Sequence, residues 1–191
     1  MISTLAPGRY DSEMLKDWGD YFFLTGSAAG GLIGLLFVIV TLTAGHERSV
    51  IERGQRLYMT PIVVHLGGIL LLSGIAIAPP TTPAALAIAS GAIALIGLVS
   101  GCRIAVGIGR LPPTTSGGWF DVWWYGIVPA AFYAVLLAGA AGLWMRSGWG
   151  VIAFAGALMA LLLNSMHLAW DLVTYLAPRA DAKPAPAAEN Q

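Results

Sequence analysis

Five long apolar runs constrain this chain more than anything else in it: Tyr21–Ala44, Tyr58–Ala78, Pro83–Gly107, Val122–Met145 and Trp149–Leu176. A helix needs about 20 predominantly apolar residues to cross the hydrocarbon core of a bilayer, because each residue advances the axis by about 1.5 Å. Backbone inside lipid must also satisfy its own N–H and C=O groups, which a helix does within a single segment. Across all five runs only Arg103 and Asp171 are formally charged. The runs predict an all-α, polytopic integral membrane bundle of five transmembrane helices.

Punctuation separates them. Pro79, Pro80 and Pro83 break the second run from the third. Leu111-Pro112-Pro113 and Gly117-Gly118 break the third from the fourth, and Ser147-Gly148 predicts a tight turn before the fifth. Proline cannot continue a helix and glycine tolerates turn geometry, so these are expected connections. Trp18, Tyr21, Trp119, Trp123, Trp124, Trp144 and Trp149 fall near the predicted ends, where amphipathic rings favour the headgroup level. Composition agrees. Of 191 residues 10% are charged, against roughly 25% in soluble domains, and mean hydropathy is +0.75. The zero formal net charge argues against a nucleic-acid partner, leaving the lipid bilayer as the expected environment. A lone cysteine, Cys102, excludes an internal disulfide and any cysteine-based metal motif.

The basic residues are distributed asymmetrically. Arg48, Arg53, Arg56, Arg103, Arg110, Arg179 and Lys183 fall on one side of the expected membrane, and Arg9, Lys16 and Arg146 on the other, seven against three. The positive-inside rule then puts the N-terminus out and the C-terminus in. Residues 1–20, with Asp11, Glu13, Asp17 and Asp20, read as an acidic interfacial segment without the basic n-region of a secretory signal. Residues 21–176 form the expected transmembrane domain, and the Ala/Pro-rich stretch 177–191 reads as a disordered tail.

Lipid tails are as apolar as leucine, so helices associate in a bilayer through close packing, which small residues four apart permit. Gly26, Gly30 and Gly34 supply such a ridge on the first span, Gly97, Gly101, Ala105 and Gly109 on the third, and Ala130, Ala134, Ala138 and Gly142 on the fourth. The ridges predict packing within one chain, or against a second copy in a homo-oligomer or another membrane protein.

Ionisable groups inside a span are costly and mark the candidate site. His65, Arg103, His167 and Asp171 come from three spans, yet all fall roughly 8–14 Å inside the expected cytoplasmic boundary at 1.5 Å per residue. Asn164, His167 and Asp171 share one helix face at i, i+3 and i+7, with Trp170 beside them. The cluster has several readings. It is structural if Arg103 pairs with Asp171 and His65 bonds His167 or a carbonyl. It is a vestibule or proton path if wet, since histidine and aspartate relay protons. No cofactor is expected, although two histidines at matched depth could ligate a haem b, and His65, His167 and Asp171 are the right types for a metal ion. No nucleophile–base pair or phosphate-cradling glycine loop is visible, which argues against an enzyme.

Two stretches, Tyr21 through Thr43 with its Gly-Leu-Leu-Phe-Val segment and Asn164 through Leu172 with its Trp-Asp-Leu ending, resemble a group of small bacterial multi-pass membrane proteins. The resemblance implies a bacterial inner-membrane protein and points to Asn164, Trp170 and Asp171. It implies no activity. The expectation from sequence is therefore a non-enzymatic scaffold or modulator acting through helix–helix contacts. A small conduit or proton-coupled transporter and a haem- or metal-binding subunit stand as alternatives.

Overall fold

A computed structural model of the chain describes residues 15–43, 60–79, 81–109 and 122–180. The loop arginines Arg48, Arg53, Arg56 and Arg110, most of the acidic N-terminal segment and the tail from residue 181 onward lie outside the described residues. All regular structure among the described residues is helical.

The helices are α1 (Gly19–Thr43), α2 (Thr60–Ile77), α3 (Pro83–Gly109), α4 (Val128–Trp144), preceded by a π-helical segment (Trp123–Ile127), and α5 (Gly148–Ala180). Among the described residues four stretches are long and apolar enough to cross a membrane: Gly19–Ile39, Pro83–Gly107, Trp123–Trp144 and Gly148–Asp171. The fifth, α2, is apolar but only 18 residues long, about 27 Å at 1.5 Å per residue.

Local chemistry explains the boundaries. Thr82 caps α3, its hydroxyl accepting from the Ala85 N–H at 3.2 Å, and Pro83 follows where a missing N–H costs nothing. Pro129 opens α4 and cannot supply the N–H that would ordinarily bond the Tyr125 carbonyl. The ladder widens just before it, and the Val128 N–H donates to the Trp123 carbonyl in a π turn. Between α4 and α5 the turn falls slightly earlier than the Ser147-Gly148 pair suggests. Arg146 takes a left-handed φ of 55°, and the Ser147 N–H closes back on the Gly142 carbonyl at 3.0 Å, a Schellman-type ending.

The helices follow one another around a ring, α1 on α2, α2 on α3, α3 on α4, α4 on α5 and α5 back on α1, with α2 and α5 also in contact. The Tyr21 hydroxyl on α1 donates to the Ala155 carbonyl on α5 at 2.9 Å, and Phe22 meets Phe154 edge-on at 5.4 Å. Most of the tight glycine contacts join neighbours within the chain. Gly97 faces the ring of Tyr133, Gly101 faces Ala130, and Gly26 faces Ser73. Gly142 and Gly150 meet backbone to backbone across α4 and α5. Gly30 only grazes Leu70, Gly34 looks onto open space, and Ala134 and Ala138 are exposed on α4.

The exterior is inverted relative to a water-soluble protein. Phe37 is 74% exposed, Phe23 66%, Ile88 64% and Ile152 62%, an apolar surface that suits lipid rather than water. Polar side chains sit inside instead. Thr25, Ser90 and Ser165 are buried and return their hydroxyl protons to the carbonyls of Tyr21, Leu86 and Leu161 one turn earlier.

Candidate functional site

His65 lies on the buried face of α2, between Ile62, Leu66 and Ile69, and is 5% exposed. Its Nδ1 shares a 2.7 Å hydrogen bond with the hydroxyl of Tyr133, the rings standing 5.4 Å apart and tilted by 48°. The partners are 68 residues apart in sequence. Tyr133 sits on α4 and spans α3 to reach α2, because Gly97 leaves the space its ring occupies. The phenol can donate to Nδ1, which places the imidazole proton on Nε2. That nitrogen is buried and has no partner among the described residues.

Asn164 lies on α5 and is 4% exposed. Neither the oxygen nor the nitrogen of its carboxamide has a partner among the described residues. Ser73, buried against Gly26 between α1 and α2, likewise leaves its hydroxyl unpartnered. The contrast with Thr25, Ser90 and Ser165 is physical. Those hydroxyls can fold back on their own helix, whereas an imidazole Nε2 and a carboxamide point away from the backbone and need something beyond it. Leaving such groups dry costs roughly 1–3 kcal/mol each, so buried polar atoms of this kind usually bind ordered water.

Farther along α5 the same stripe opens outward. His167 Nε2 stands 3.6 Å from Asp171 Oδ2, both side chains 45% exposed. Trp124 in the π segment lies against His167, ring centroids 4.6 Å apart. The face Asn164–His167–Asp171 therefore grades from a buried amide to a half-exposed carboxylate.

Arg103 stands apart. It is exposed on α3 beside Leu98, Val99, Cys102, Val106 and Gly107, while Asp171 pairs with His167. His65 and His167 have separate partners, Tyr133 and Trp124. Among the described residues no group of three or more His, Cys, Asp or Glu side chains comes together as a metal site. Two participants escape a reading of the sequence. Tyr133 carries no charge, and its one signal is a phenol far from either predicted end of its span. Trp124 reads there as an interfacial ring, yet it also packs on His167.

Comparison with known protein families, curated proteins and solved structures found no match. The function has to be argued from the geometry of this chain.

Proposed function

We propose that this chain is a five-span protein of a bacterial inner membrane, N-terminus out and C-terminus in, whose polar seam along α2, α4 and α5 conducts protons across the bilayer. The observation that carries the reading is that His65 Nε2 and both amide atoms of Asn164 are buried without a partner among the described residues, on helices that pack together. Polar groups at membrane depth mark ion and proton paths when they line water. Asp171 and His167, half exposed, would form the cytoplasmic mouth of the path, and the Tyr133–His65 hydrogen bond a relay deeper along it. The fifth span rests on α2, whose outward residues Val63, Val64 and Leu71 are 45–55% exposed and suit lipid. The seven-to-three division of basic residues supports the orientation.

The test is proton entry into proteoliposomes loaded with a pH-sensitive dye and driven by an imposed potential. Wild type should acidify the lumen faster than empty vesicles, and Asp171→Asn and Asn164→Leu should slow it. Asn164→Leu should also keep or raise the melting temperature, because an apolar side chain replaces an unpartnered polar one. Wild-type flux equal to that of empty vesicles ends the proposal.

A second reading, a scaffold for a second copy or another membrane protein, draws on Ala134 and Ala138, exposed and four apart on α4. Cysteine at position 138 in a Cys102→Ser background should then crosslink in membranes. Exclusively monomeric product removes this reading.

A further inference from the structure

The outer face of α3 carries an unusual combination that the polar seam does not use. Leu98, Val99, Cys102, Arg103, Val106 and Gly107 recur at helical spacing and line one shallow groove of about 580 Å³. It lies opposite the Gly97–Gly101 face that packs on α4, with Val99 49% and Val106 52% exposed. Cys102 is small and Gly107 has no side chain, whereas Leu98, Val99 and Val106 are bulkier. The groove lining is almost wholly apolar except for one cation. Arg103 is exposed, and no described carboxylate forms an ion pair with it; Asp171 pairs with His167 instead.

A guanidinium in this position needs an anion. Arg103 stands six residues before the end of α3 at Gly109, about 9 Å along the axis, close enough for its long stem to lift the charge to headgroup level while the methylenes stay in the groove. A guanidinium presents a planar fork of donors that matches phosphate oxygens in pairs. An apolar channel running from that fork toward the bilayer centre fits one acyl chain of the same molecule. We propose that this face is a binding site for an anionic glycerophospholipid, with the phosphodiester on Arg103 and one acyl chain in the Leu98–Val99–Cys102–Val106 groove. An anionic lipid is favoured over a zwitterionic one because it carries no ammonium to compete with the arginine.

The test uses the full chain in nanodiscs of equimolar phosphatidylglycerol and phosphatidylcholine, with retained lipid identified by native mass spectrometry. Wild type should retain phosphatidylglycerol roughly fivefold over phosphatidylcholine, the factor expected from one basic residue at an anionic surface. Arg103→Gln should abolish the preference and Arg103→Lys keep part of it. Cys102→Phe fills the groove without touching the charge, and it should also cut retention. Excess inorganic phosphate should displace no lipid. Both positions lie outside the core, and melting temperatures close to wild type check that the variants fold. Equal retention of the two lipids by wild type overturns the proposal. So does an Arg103→Gln variant that retains lipid as wild type does, a Cys102→Phe variant with unchanged retention, or displacement by phosphate alone.

Discussion

Tyr133 reaches His65 only because residue 97 has no Cβ: one placed there would overlap the phenol ring. Gly97→Ala must therefore push the ring aside or part α3 from α4. Overpacking of this kind costs about 1–3 kcal/mol, and thermal unfolding in detergent should register the loss. Coupling decides whether the ring is the cause. In a Tyr133→Leu background the same Gly97→Ala change should cost clearly less, and full additivity of the two would show that they act separately. Tyr133→Phe isolates the hydroxyl. It leaves His65 with neither ring nitrogen partnered, and polar contacts between membrane helices average about 0.6 kcal/mol with a maximum near 1.7. A fall in melting temperature of that order, with secondary structure intact by circular dichroism, is the expected result.

At the scale of the element, α4 and α5 form a hairpin whose arms touch through backbone. Gly142 and Gly150 stand so close that a Cβ on either would meet the other's main chain, and a Cβ on Gly139 would meet the backbone nitrogen of Phe154 at 2.7 Å. Main chain cannot swing away as a flexible side chain can. Gly150→Ala should destabilise the bundle by more than Gly97→Ala, where a side chain is the obstacle. Gly156, on the same helix, has nothing within 4 Å of its would-be Cβ. There alanine should be neutral, or stabilising by up to about 1 kcal/mol through helix propensity. Parallel melting curves of the two alanine variants check the pair, and equal behaviour would mean that the hairpin contact is not close. The π segment is the other device at this scale. Pro129 removes an N–H, the ladder widens, and Trp124 comes to lie on His167.

For the whole molecule the governing contrast is between an apolar exterior and an interior with unpartnered polar atoms. The topology proposed above makes a direct prediction. In a Cys102→Ser background, a cysteine replacing Ser49, between α1 and α2 in the sequence, should resist a membrane-impermeant thiol reagent in intact cells and react once the membrane is opened. A cysteine at Ser147, in the turn between α4 and α5, should react in intact cells. The reverse pattern inverts the orientation. The five helices were legible as runs of apolar residues, and their ends agree with the structure to within a few residues: the second run, Tyr58–Ala78, became Thr60–Ile77, and the fifth, Trp149–Leu176, became Gly148–Ala180. The depth of the polar residues could be counted in the same way. Their azimuth could not. In a soluble helix the polar face identifies itself against water, but in a membrane bundle both lipid and core are apolar, so the pattern does not distinguish inward from outward.

The difference is concrete at Arg103, His167 and Asp171. Counting residues puts them at similar depth, yet Arg103 faces outward on α3 while Asp171 lies beside His167 on α5. Sequence alone determined that this chain builds apolar helices, where they begin and end, and which few polar residues they carry, because run length, proline and helical rise are local properties. Only the tertiary structure decided that His65 bonds Tyr133 over the bare backbone of Gly97, and that Asn164 is buried without a partner among the described residues. Those facts depend on how helices far apart in the chain rotate against one another, which close packing of small residues sets and no single segment encodes.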